Sequence, residues 1–448
     1  MNSMNVDSIR ANRTRAILAF SVPAIISMVL TSLINMADGF FMGNFIHKDA
    51  IAAVNLGLPI IYLFLATGLM VSVGGSVIAG MSIGRKDEES CRSVFSQTIA
   101  TCAVASVLLS VVMFFLLRTI LAVLGAEGDV AEYFLQYYTI LLFELPVMTV
   151  NASLGMFVRA EGRPQFYMAV TAFTCVLNIL LDWLFTVGFG FGVRGIAAAS
   201  LVSALLGFAF LLFYFAKKAR VFRFAKFRFD RGIFRSTMLN GLSEFIGELS
   251  MCISIAAYNF VIMKRIGVDG VTAFTVVGYT TYVFSMVVCG FGQGMAPLAS
   301  FVYGTKEKLL ARNLFTRTVL LVLAAGCATV AFVGFGSSLY SRIFVDDVAV
   351  QQMIKSGILI FMWSYILCGL NAIASFYFTS IGKAKESAVI SSARGLVILL
   401  AAIFVLPAIL GMNGVWLASS ATEILTLAIT LFYLKKDRKE IDDAKQAE

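Results

Sequence analysis

Histidine is almost absent from this chain: His47 is the single one in 448 residues. A multi-histidine metal site is therefore excluded, and because His47 falls in an outward connection a His-based hydrolytic triad is not expected. No glycine-rich phosphate loop of the Walker type occurs, so nothing points to ATP as an energy source. Cysteine is sparse and unpaired. Cys91, Cys102, Cys175, Cys252, Cys289, Cys327 and Cys368 show no bridging or metal-ligand spacing and fall mostly inside apolar runs, which reads as packed thiols. Arg10, Arg13 and Arg15 precede the first run without a small-residue cleavage site, so that run is expected to be retained.

What the chain has in abundance is apolar length. It is 59% hydrophobic, with a mean hydropathy of +0.89. A helix needs about 20 residues to cross the hydrocarbon layer. Twelve runs qualify, at approximately 16–43, 53–82, 94–117, 132–157, 166–189, 195–216, 237–262, 271–301, 314–338, 353–380, 387–410 and 414–434. They are unbroken and lack alternating polarity, which excludes a barrel. Basic residues gather in every second connection: Arg85, Lys86 and Arg92; Arg159 and Arg163; Lys217 to Arg235; Lys306, Lys308, Arg312 and Arg317; Lys383 and Lys385; and the tail from Lys435. The opposite connections hold only Lys48, Arg118, Arg194, Lys264, Arg265, Arg342 and Lys355. The positive-inside rule then predicts a multi-pass protein of the cytoplasmic (inner) membrane with both termini in the cytoplasm. The net charge of +9 reflects this asymmetry beside lipid, and no nucleic-acid partner is expected.

The second half repeats the first at a constant offset of 220 residues. Asp49 falls on Asp269, Gly74 on Gly294, Gly84 on Gly304, Lys86 on Lys306, Asn151 on Asn371 and Gly162 on Gly382. Near the end the offset drops by one, so that Gly192, Gly195 and Ser200 meet Gly411, Gly414 and Ser419. Six spans per half, each starting on the same side, predict two lobes repeated about an axis along the membrane normal. The expected fold is all-α and polytopic: twelve transmembrane helices in two parallel-repeat six-helix bundles around a central cavity. The expected boundaries are 1–216 for the first lobe, 217–235 for a basic cytoplasmic linker, and 236–448 for the second lobe with its charged tail. Phenylalanines alternate with cations from Val221 to Phe229. That pattern predicts a linker dipping into headgroups, with a partner-docking surface as the alternative. Glycines thicken in spans two and eight, at Gly68, Gly74, Gly75 and Gly80 against Gly290, Gly292 and Gly294, where helices are expected to approach closely.

Charge inside lipid costs at least ~2.5 kcal/mol at a helix centre, so each instance needs a reason. In the first lobe the candidates are Asp38, Glu144, Asn178 and Asp182. Asp182 lies roughly 24 Å into span five at 1.5 Å per residue, and Asp38 reaches a similar depth in span one. Ser200 enters that layer from span six. Asn178 and Asp182 are one turn apart and share a face. Such a cluster can take up a proton or a small cation; interhelical hydrogen bonding alone is the bland alternative. The second lobe does not copy it, because Tyr258 and Ala402 occupy the places of Asp38 and Asp182. It carries Glu244 and Glu248 on one face of span seven, Arg394 in span eleven and Glu423 in span twelve; Gln293 and Asn371 complete its cavity candidates. Similar depth predicts a Glu244–Arg394 ion pair, either structural or placing a glutamate to attract cationic cargo.

The chain resembles the multidrug and toxic compound extrusion (MATE) family, in its bacterial branch, over essentially its full length. The resemblance rests on Pro23 with Asn35-Met-Ala-Asp38, on Phe157-Val-Arg-Ala-Glu-Gly162, and on Leu177-Asn-Ile-Leu-Leu-Asp182 followed by Gly195-Ile-Ala-Ala-Ala-Ser200. The matching second-lobe segment is Gly294-Met-Ala-Pro-Leu-Ala-Ser-Phe-Val-Tyr-Gly304. It implies a secondary antiporter exporting cationic amphiphilic drugs against inward H+ or Na+, with no other cofactor. It maps the cation site onto Asp38, Asn178, Asp182 and Ser200, with Na+ as one candidate at the first three, and adds Tyr137 as a polar lining residue. One branch has a proline after Gly241-Leu242 and an acidic residue at the place of Met251; this chain has Ser243 and Met251, so that branch's second-lobe site does not carry over. Glu244 resembles an acidic position of another branch. Glu144 matches no family role.

A lipid-linked oligosaccharide flippase of related architecture is the rival reading. Flippases of that kind commonly line their cavities with cations for pyrophosphate, whereas the buried charge of this first lobe is acidic. An intramembrane enzyme is not expected, since Glu244 and Glu248 have neither a nucleophile nor a metal set beside them. The expected partners are small cationic drugs and the lipid bilayer, with the chain acting as a monomer.

Overall fold

The computed structural model describes residues 5–345 and 347–446. Those residues form helices and connecting turns, with no strand among them. In the first half these are α1 (Val6–Ala11), α2 (Arg13–Phe45), α3 (Lys48–Leu56), α4 (Leu58–Gly84), α5 (Glu88–Leu124), α6 (Gly128–Ala160), α7 (Pro164–Trp183) and α8 (Gly192–Phe213). The second half adds α9 (Arg231–Arg265), α10 (Val268–Gly304), α11 (Lys308–Phe344), α12 (Val348–Phe361), α13 (Trp363–Ser380), α14 (Ala384–Ser392), α15 (Ile398–Leu410) and α16 (Met412–Gln446). Three π-helical turns, Leu184–Gly188, Tyr214–Lys218 and Ala393–Val397, extend α7 and α8 and join α14 to α15. Among the described residues, eleven helices have the length and apolarity to cross a membrane, twelve if α12 and α13, bent by 44° at their junction, count as one span. Phe115, Phe332 and Phe335 are 76%, 83% and 95% exposed. Aromatic rings so bare face hydrocarbon rather than water in a stable protein.

The repeat extends to the backbone. Lys86 and Lys306, one offset apart, are the only non-glycine residues described with positive φ, at 60° and 67°. Asn151 donates to the carbonyl of Ala204 at 2.9 Å, and Asn371 donates to the carbonyl of Glu423 at the same distance. The chain folds into two compact units. The first spans Ile26–Glu248, and the second gathers everything from Leu249 onward with the stretch that ends at Ile25. The leading turns of α2 and α9 each therefore pack with the other half of the sequence. Glycine makes both packings possible. A Cβ on Gly241 would lie 1.8 Å from the Met70 carbonyl of α4, and one on Gly294 of α10 would lie 2.4 Å from Ser21 of α2.

The connection between α8 and α9 is a strap fastened to the first unit. Glu161 accepts the backbone N–H groups of Arg220 and Val221 at 2.6 and 2.7 Å, and Tyr214 donates its hydroxyl to the same carboxylate. Ser96 accepts from the Ala225 N–H at 3.1 Å. Phe222, expected among headgroups, is fully buried against Phe95 and Phe157, because the pinned backbone turns it inward. Phe224 and Phe229 stay about half exposed, at 48% and 56%. The second unit uses a different carboxylate. Buried Asp437 of α16 takes Arg312, Lys383 and Tyr377 at 3.0, 2.8 and 3.0 Å, joining α11, α13 and the turn before α14.

Candidate functional site

In the first unit, α2, α6, α7 and α8 bring their polar groups to one place. α7 starts with Pro164 at its first turn and presents Asn178 and Asp182 on one face. A π-helical turn follows directly, then a reversal in which Gly190 and Gly192 take φ of 68° and 58°, a region only glycine enters freely. The reversal returns α8 so that Ser200 meets Asn178, whose Nδ2 donates to Ser200 Oγ at 3.1 Å. Asp38 of α2 is a close side-chain neighbour of both Asp182 and Ser200. Asn178 and Asp182 are fully buried, and Asp38, Ser200 and Tyr137 nearly so.

The acceptors outnumber the donors. Asp38 Oδ1, both Asp182 oxygens and Asn178 Oδ1 are buried without a hydrogen-bond donor from the described residues. No ion pair recorded among the described residues includes either aspartate. Two carboxylates so close repel unless a proton or metal cation stands between them. Four oxygens of this kind suit a hard cation or a shared proton and offer nothing to an anion. Among the described residues, no group of three or more His, Cys, Asp or Glu side chains that could hold a metal ion occurs, so a cation here would rest on two aspartates with amide and hydroxyl oxygens. Glu144, left unassigned by the sequence, lies within Coulombic range of Asp38 and Asp182, and its Oε2 also has no donor. The available signal was its spacing: seven residues after Tyr137, two helical turns along α6, it shares that side chain's face.

The second-lobe candidates divide differently. Glu244 and Glu248 lie half-buried on α9, inside the first compact unit, near enough to repel each other. Gln293 is on α10 of the second unit. Arg394 does not pair with Glu244 as expected from depth; its Nε donates to Glu423 Oε1 of α16 at 2.8 Å. The other Glu423 oxygen accepts from Asn371 at 2.8 Å, and Thr430 donates to Asn371 Oδ1 at 2.8 Å. Arg394 also donates to Cys368 Sγ. Depth is one coordinate of three, and the neighbouring span won. The result is a satisfied charge network, the opposite of the donor-poor cluster in the first unit.

The family model MatE matches residues 23–184 and 245–404. Over 440 residues the chain is 24% identical to the multidrug export protein MepA of Staphylococcus saprophyticus, covering 97% of this chain and 96% of the relative. The MepA of Staphylococcus haemolyticus is 23% identical over 439 residues, with the same coverage. Among solved structures, a MATE transporter in the bent conformation superposes with a TM-score of 0.92 at 22% identity, covering 100% of this chain and 99% of the other. An outward-facing multidrug resistance MATE transporter of the MOP superfamily gives 0.89 at 22% identity, with 96% of each chain covered. With both halves matched by one family model, the chain belongs to the MatE family, membrane transporters rather than enzymes.

Proposed function

We propose that this protein is a multidrug exporter that moves cationic amphiphilic compounds out of the cell in exchange for inward H+ or Na+. It would act as a monomer in the cytoplasmic membrane, with both termini in the cytoplasm. The relatives carry the name multidrug export protein, and the donor-poor Asp38–Asn178–Asp182–Ser200 cluster supplies a place for the coupling ion. That cluster is the observation that carries the reading.

The cycle follows from differential affinity. With both aspartates charged, the first lobe is negative and favours a lipophilic cation. A proton or Na+ arriving from outside removes the repulsion between Asp38 and Asp182 and draws α2, α7 and α8 together. Tighter packing there weakens the hold on the drug, which leaves outward. Glu144 adds negative potential to the same region. Buried acid is a poor host for a pyrophosphate-linked cargo, which weighs against lipid-linked oligosaccharide flipping.

Purified protein in vesicles, offered ethidium or a labelled lipid precursor under an imposed pH or Na+ gradient, tests the reading. Gradient-driven ethidium movement that Asp38→Asn abolishes, with the variant still folded by size exclusion, is the expected result. Precursor flipping without ethidium transport, or unchanged coupling in Asp38→Asn, would overturn it. Which gradient drives transport identifies the coupling ion.

A further inference from the structure

At the start of α5, Gln97 closes a corner of the first unit. Its Nε2 donates to the Asp230 carbonyl at 2.8 Å, and its Oε1 accepts from the Asp230 N–H at 3.0 Å. Asp230 then caps α9 by accepting from the Gly232 and Ile233 N–H groups at 2.6 and 3.1 Å. The 220-residue offset carries Gln97 to Arg317 and Asp230 to Arg10. The helix crossings beside these corners obey the same offset, Gly74 meeting Gly241 and Gly294 meeting Ser21, so the corners are equivalent places in the two units.

The second corner is not bridged. Arg10, Arg13 and Arg317, with Ala11, Asn12 and Thr14 between them, line a cavity of about 420 Å³. Glu307 compensates Arg10 at 2.5 Å. Arg13 and Arg317 have no ion pair among the described residues, and Arg13 Nε is buried with no acceptor. One half of the molecule thus closes the corner with an amide and a backbone; the other places mutually repelling guanidiniums there and leaves room. A buried, unpaired guanidinium N–H is costly unless an anion completes it. α2 is of membrane-crossing length and begins at Arg13, with its apolar run starting at Ala16, so the cavity lies at the headgroup end of this span.

We propose that this cavity binds the phosphate of an anionic phospholipid headgroup. Guanidinium forks match phosphate oxygens bidentately, and Arg13 and Arg317 line one cavity from two helices. A zwitterionic choline headgroup brings its own cation against the arginines, so phosphatidylglycerol is favoured over phosphatidylcholine. Free phosphate shares the chemistry, but a lipid is held at this depth by its tails and arrives at high effective concentration.

Native mass spectrometry of the intact protein, released from mixed phosphatidylglycerol and phosphatidylcholine nanodiscs, tests this. The wild type should retain phosphatidylglycerol selectively. Arg317→Gln, which restores the first half's residue at an exposed position, should weaken retention about fivefold, and Arg13→Gln with Arg317→Gln about 25-fold. Arg13→Lys with Arg317→Lys should fall between. Equal retention by wild type and the Arg317→Gln variant would overturn the site, even if the double variant fails to fold. Inorganic phosphate added in phosphatidylcholine discs should leave the unfolding temperature unchanged; a rise matching that from phosphatidylglycerol would overturn the lipid as the source.

Discussion

Arg394 and Glu423 form a 2.8 Å ion pair between the π-helical turn of span eleven and α16. The repeat places Thr174 and Ala204 at the corresponding positions of the first half, offset by 220 and 219 residues. The second half therefore carries two opposite charges that the first half lacks, around a shared asparagine. Breaking such a buried pair from one side leaves a charge behind, at a cost of about 3 kcal/mol. Arg394→Thr alone should show that loss in a denaturation curve. Arg394→Thr with Glu423→Ala, the first half's own pair, should recover more than half of it. Strict additivity would mean the two side chains are not coupled.

Within the cluster proposed to hold the coupling ion, Ser200 accepts the Asn178 amide and is not itself charged. Ser200→Ala should weaken coupling-ion binding roughly fivefold, the equivalent of one lost hydrogen bond of about 1 kcal/mol. Asp182→Asn should remove coupling altogether. Ion-binding isotherms on the two variants separate these outcomes; equal losses would place Ser200 on the ion directly.

Asp437 gathers Arg312, Lys383 and Tyr377 in the second unit. Asp437→Ala should destabilise the protein by about 3 kcal/mol, because Arg312 then loses its carboxylate and Lys383 keeps only the exposed Glu440. Hydrogen exchange should rise first along α16 beyond Leu434. An unchanged melting temperature would show the cluster to be fully solvated.

Gly241 and Gly294 are close-approach positions at equivalent helix crossings. Gly241→Ala and Gly294→Ala should each cost about 1–3 kcal/mol by overpacking. Met70 opposes Gly241 with a backbone carbonyl that cannot move aside, and Ser21 opposes Gly294 with its backbone as well as its hydroxyl. Gly39, which meets nothing within 4 Å, is the matched control and should tolerate alanine.

Asp87 lies in the turn before α5, where the Ser90 N–H holds its carboxyl below the usual carboxylate range. A depressed folded value gives a contribution that is present above the unfolded value and is lost as pH falls through the folded one. Protection of the Ser90 amide against exchange should therefore hold at neutral pH and decline in acid. Asp87→Asn should flatten that decline, and an unaltered acid profile would remove Asp87 as its source.

Sequence alone determined the helical membrane class, the repeat, and the shared face of Asn178 and Asp182. These are local or periodic properties, fixed by hydropathy over ~20 residues and by 3.6 residues per turn. It also selected Asp38 and Ser200, since depth along a helix is countable from its ends. Tertiary structure decided the rest. Depth could not tell Arg394 whether Glu244 or Glu423 was its neighbour, because that depends on which helices adjoin. Alternating phenylalanines could not announce that Phe222 turns inward, since the Glu161 and Ser96 contacts that pin the strap come from residues 60 and 129 positions away in the chain. The donor-poor oxygens of the first unit and the arginine-lined corner of the second are likewise defined by what distant residues fail to supply, and no local pattern encodes that.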